Sequence, residues 1–149
     1  MSMNLFSDEW ALVGTIDPDV NTAGTYLTDA IDMSLYDRVA FVVANGSLIA
    51  GGTVAFKVTQ ATTSGGTYKD VTSAAITGLT GSPDTGSDKQ QIVIVDQTAL
   101  DMDNNYRYVK GSLTIATQSQ DGAVLALGRA KYKAASGSDL ASVSEIVSV

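Results

Sequence analysis

Cysteine and histidine are both absent from the 149 residues. The first absence removes disulfide frameworks, thiol nucleophiles and thiolate zinc sites. The second removes any Ser-His-Asp triad, histidine general base or histidine metal cluster. Proline is scarce, with two residues, and of sixteen acidic residues only Glu9 and Glu145 are glutamate. Aspartate favours turns and caps, whereas glutamate favours helix interiors, so this imbalance points away from long helices. Basic residues number nine, which leaves a formal charge of −7 and no overall basic footprint for nucleic acid. No apolar run reaches the roughly 18 residues of a membrane-spanning helix. The segment 1–10 lacks the basic start and apolar stretch of a signal peptide, so the chain is expected to be made in a cytoplasm, with no membrane partner.

What is present is rich in turns. With 14 Gly, 16 Thr and 15 Ser, the composition reads as short strands joined by tight turns. Thr53 to Gln60 alternates, placing Val54, Phe56 and Val58 on one side and Thr53, Lys57 and Thr59 on the other. That is the period of a half-buried strand. Arg38 to Ala44 and Gln91 to Val95 are apolar on both sides and read as strands buried on both faces. Further strands are expected over Ala11 to Ile16, Thr25 to Ile31, Tyr68 to Thr72, Tyr106 to Thr117 and Ala123 to Lys133, with Gly78 to Lys89 as a polar loop. Short strands at this spacing predict an all-β fold: one antiparallel β-sandwich over residues 11–135. Its expected core is Val39, Phe41, Val43, Val54, Phe56, Val58, Ile92, Ile94, Val109, Leu113, Ile115, Leu125 and Leu127.

Residues 1–10 and 136–149 read as arms. Leu5, Phe6 and Trp10 sit among polar residues at one end. At the other, Leu140, Val143, Ile146 and Val147 follow a Ser/Gly hinge. Soluble monomers tend not to expose such apolar groups together, so these seven are the interface candidates.

Sites of chemistry have little support. Asp101-Met102-Asp103-Asn104-Asn105 begins like a calcium loop, but Tyr106 and Ser112 stand where that loop needs Gly and Glu. It reads as an Asx-rich turn. Asp29, Asp32 and Asp37 are the acids a two-carboxylate hydrolase would need, although acids near strand ends commonly cap turns. Arg129, Lys131 and Lys133, with Arg107 and Lys110 nearby, form either a basic stripe or the charges that protect an edge strand from pairing. No nucleotide-binding or serine-hydrolase glycine motif occurs, so no catalytic residue, metal or cofactor is expected.

Several stretches together resemble a family. These are Ala30-Ile31-Asp32-Met33, Tyr36 to Val43, Gly52 to Val58, Ser64-Gly65-Gly66-Thr67-Tyr68-Lys69-Asp70-Val71, Tyr106 to Lys110, and the closing Ala123 to Tyr132. Across residues 23–133 the pattern of strands and turns resembles the capsid decoration, or cement, proteins of tailed bacteriophages. The resemblance implies a jelly-roll-like sandwich that trimerises on the outer capsid surface and clamps neighbouring copies of the major capsid protein, without catalysis. The alternative kept beside it is a carbohydrate-binding or adhesion sandwich of a phage tail or fibre, which would need clustered aromatic side chains.

Overall fold

The computed structural model describes residues 6–132 and 135–147. Its main strands are β1 (Trp10–Asn21), β2 (Gly24–Leu27), β3 (Ile31–Asp32), β4 (Tyr36–Asn45), β5 (Thr53–Ala61), β6 (Lys69–Ala75), β7 (Leu79–Thr80), β8 (Gln90–Asp96), β9 (Tyr108–Ala116) and β10 (Gln120–Ala130). One short helical turn, α1 (Phe6–Glu9), precedes them, and 3₁₀ turns follow β8 at Gln97–Ala99 and Met102–Asn104.

The strands form two antiparallel sheets. Sheet A has the order β1-β10-β4-β8, and sheet B the order β2-β9-β5-β6, with β3 on β9 and β7 on β5. Setting aside the two-residue strands β3 and β7, the first of the eight remaining strands pairs with the last, the second with the seventh, the third with the sixth and the fourth with the fifth. The chain is therefore an antiparallel β-sandwich with jelly-roll-like connectivity. Pro18 lies where β1 loses register against β10, between Ile16 and Asp19. An edge strand can give up a ladder hydrogen bond there at little cost.

The interior is sealed where the sheets meet. Phe41 of β4 and Phe56 of β5 pack with ring centroids 5.6 Å apart. Both are almost fully buried, with Val39, Val43, Val54, Val58, Val109, Leu113 and Ile115 around them. Gly111 is required at this contact: a Cβ there would lie 2.7 Å from the Phe56 ring and 3.1 Å from the Phe41 ring.

Four expected core residues are not in the core. Ile92 and Ile94 of β8 are 63% and 59% exposed, and Leu125 of β10 is 45% exposed. Leu127 is half-buried on the same outward side. Their neighbours Val93, Val95, Val124 and Ala126 point inward instead. The reason is steric. Val93 and Ala126 both stand beside Phe41 in the ladder, and Val124 beside Val43. Phe41, Phe56 and Leu113 already fill the interior, so the inner rows accept Val and Ala and the larger Ile and Leu turn out. Likewise β4 and β8 are not buried on both faces. The outward Ala40, Val42 and Ala44 are half-buried, because no further layer covers sheet A among the described residues.

Candidate functional site

Pairing across sheet A places outward side chains in rows perpendicular to the strands. One row runs Leu12, Leu127, Ala40, Ile94, and the next Thr15, Leu125, Val42, Ile92. A third carries Ala123, Ala44 and Gln90. The result is an apolar field four strands wide. Among the described residues of these rows, the charged side chains stand at the two ends, and Asp139 borders the field at Leu12. One end is the row Trp10, Arg129, Arg38, Asp96, and the other carries Asp121 beside Val20. Arg38 is tied to Asp96 at 2.6 Å and Arg129 to Asp37 at 3.4 Å, all of them substantially exposed. Contiguous exposed apolar surface of this kind marks interaction sites.

The chain ends meet at the β1 border of this field. Phe6 is 65% exposed and its ring stacks on Trp10, with centroids 6.1 Å apart. The turn Ala135–Ser138 packs on both α1 and β1. Beyond it, the Leu12 amide donates to Asp139 Oδ1 at 2.6 Å, and the Leu140 amide donates to the Leu12 carbonyl at 2.9 Å. The start of the C-terminal segment thus caps the open edge of β1, a common protection for an edge strand. Leu140 and Val143 are half-buried, whereas Ile146 and Val147 are 49% and 73% exposed. Six of the seven interface candidates are therefore placed, with α1 and Trp10 meeting the beginning of the C-terminal segment at one edge. Leu5 lies outside the described residues.

The acids considered for hydrolysis are each engaged separately. Asp32 receives two hydrogen bonds from Arg107, at 2.5 and 3.1 Å, and one from the Ser34 amide. Burial pushes its carboxyl up, but Arg107 and Ser34 outweigh that and hold it below the usual carboxylate value. Asp37 belongs to Arg129 in sheet A, and Asp29 accepts from the Thr15 amide at 3.4 Å. In the Asp101 turn, the carboxylate accepts from Lys69 at 2.5 Å and from Asn104 at 2.8 Å, and Asn105 closes the turn at φ 60°. Lys69, then Asn104, depress the Asp101 carboxyl.

Tyrosines that the sequence scatters singly take basic partners near the starts of β6 and β9. Tyr68, Tyr106 and Tyr108 come together with Lys110 over Tyr68 at 4.7 Å, Lys69 over Tyr106 at 4.0 Å and Arg107 over Tyr108 at 5.0 Å. The basic stripe is thereby divided, since Arg129 and Lys131 belong to the β10 end of sheet A while Arg107 and Lys110 serve sheet B. Lys133 lies outside the described residues. Each of the three tyrosines has a cation over one ring face, within cation–π range. The alternation of Tyr106, Tyr108 and Lys110 was the available signal; the approach of Tyr68 and Lys69 depends on the β5–β6 hairpin.

No protein-family model matches the chain, and no curated protein matches it significantly.

Proposed function

We propose that this chain is a structural virion protein, a decoration or cement protein that binds the outer surface of a phage capsid and reinforces contacts between its subunits. The observation that carries the reading is the meeting of α1 and the start of the C-terminal segment at the β1 edge, with Phe6 exposed there and Ile146 and Val147 exposed further along that segment. Such a segment is anchored at its root and apolar at its tip, which suits an arm that orders further against a neighbour. Burying a large apolar side chain contributes about 1.5–3 kcal/mol, while ordering each tail residue costs about 1–2 kcal/mol. A partner surface is needed to make that balance favourable. The jelly-roll-like body and the resemblance in strands and turns support the same reading. Function then needs shape and contact surface rather than catalysis, with the major capsid protein as partner.

The test is cosedimentation of the purified chain with empty shells of the phage that carries its gene. The double variant Ile146→Ser, Val147→Ser changes only exposed positions and should stay folded while losing most shell binding. Absence of binding by the unaltered chain would refute the reading.

A further inference from the structure

We propose that β8 is a pairing edge: two copies of this chain join antiparallel along it, β8 against β8, and merge their four-stranded sheets into one. The register of β4 with β8 says which groups are free. The Asn45 amide donates to the Lys89 carbonyl, and the ladder runs without a shift from Ala44↔Gln90 to Arg38↔Asp96. Bonded and open pairs alternate in such a ladder. Gln91, Val93 and Val95 therefore bond β4, while the amides and carbonyls of Gln90, Ile92, Ile94 and Asp96 point away from it. None of these backbone groups meets a partner among the described residues. A row of this kind is a template for another strand. The other edges carry devices that block pairing. On β1, Asp139 and Leu140 take the Leu12 amide and carbonyl, and Pro18 and breaks of register interrupt the strand. In sheet B, β2 has four residues, and β6 carries Lys69 and Asp70 and loses register between Lys57 and Thr59 of β5. By contrast β8 has no proline, no bulge and no charge before Asp96.

The occupant is a second copy because the strand fits itself. Opposed residues must both offer free groups, so the two-fold axis has to pass at a residue and not between two. With the axis at Val93, the centre of β8, all seven residues are paired and every free amide and carbonyl of Gln90, Ile92, Ile94 and Asp96 finds a mate. Ile92 then stands opposite Ile94 of the second copy, a favourable β-branched pair, and both are exposed in one copy alone. Gln90 stands opposite Asp96, whose carboxylate can accept from its amide while still holding Arg38. An axis at Ile92 leaves the Asp96 groups unpaired, and an axis at Ile94 sets Ile92 against Asp96. The merged sheet ends in β1 on both sides, where Asp139 and Leu140 close it, so association stops at a symmetric pair. One strand pair is a small contact, so dissociation in roughly the hundred-micromolar range is expected. A pair differs from the three-fold grouping that the family resemblance implies. The proposal does not rest on shell binding, since it concerns free copies in solution.

Sedimentation velocity on the full chain, from micromolar to millimolar concentration, tests it. A reversible dimer is expected. Ile92→Lys should weaken it at least about tenfold, because a charge enters the apolar pair on the edge. Ile94→Lys serves the same purpose should the first variant fold poorly. Adding Ile94→Glu to Ile92→Lys should restore association, because this register sets each lysine opposite a glutamate of the other copy. Amide hydrogen exchange on the unaltered chain reads the same contact. The Ile92 and Ile94 amides should exchange more slowly as concentration rises, while the Leu12 amide on the capped edge should not change. A chain that stays monomeric throughout, even one whose β8 captures an extended peptide of another protein, would overturn the proposal. So would a three-copy particle, unchanged exchange at Ile92 and Ile94, or a folded double variant that fails to recover.

Discussion

At the scale of single residues, the interior depends on a few contacts that carry weight out of proportion to their number. Phe56 is 1% exposed and meets Phe41 across the sheets, so Phe56→Ala should cost about 3–5 kcal/mol, read by denaturant unfolding. Phe56 was legible in the sequence because its strand alternates cleanly between apolar and polar residues. The partners of the acids were not legible, because Asp32 meets Arg107 where β3 pairs with β9, and Asp101 lies in a turn whose amide bonds Gln60 of β5, which places it at Lys69 of β6. These pairings have a consequence in acid. Asp32, Asp84 and Asp101 all titrate below the ordinary value of 3.8 in the folded chain; for Asp84, the Ser87 amide and hydroxyl and then the Gly86 amide are responsible. Their folded forms hold protons less tightly than the unfolded chain does. The stability they add is thus present above about pH 4 and lost as pH falls through the folded values. Melting temperature should fall below pH 4, and the fall should be smaller in Asp32→Asn.

At the scale of elements, the strands were readable and the choice of inward face was readable only where one face is polar. In β5 the polar Thr53, Lys57 and Thr59 settle the question. In β8 and β10 both faces are apolar, so local pattern offers no decision, and a one-residue change of parity exchanges core for surface. The facing residues decide: Val93 and Ala126 fit beside Phe41, where Ile94 and Leu125 would overfill the interior. Chemical unfolding separates the two parities. Leu113→Ala, at a fully buried position, should cost about 2–5 kcal/mol. Ile92→Ala should cost no more than about 1 kcal/mol, since that side chain is 63% exposed. Equal losses would place Ile92 in the core.

At the scale of the whole molecule, the sandwich follows from composition and strand spacing, but the make-up of its outer faces does not. The outer field of sheet A combines residues from four strands, and its apolar character was read from sequence as core. The terminal apolar residues were legible as unusual, yet their meeting at the β1 edge required the fold, since Leu12 and Asp139 are far apart in the chain and joined by one hydrogen bond. The central claim is that this chain reinforces a shell by contact. The most direct measurement is the disassembly temperature of undecorated phage shells, followed by light scattering, with and without saturating protein. The account expects a clear rise with the full chain and little or none with a chain ending at Ala135 whose sandwich still melts cooperatively. An unchanged disassembly temperature with the full chain, or an equal rise with the shortened one, would contradict it.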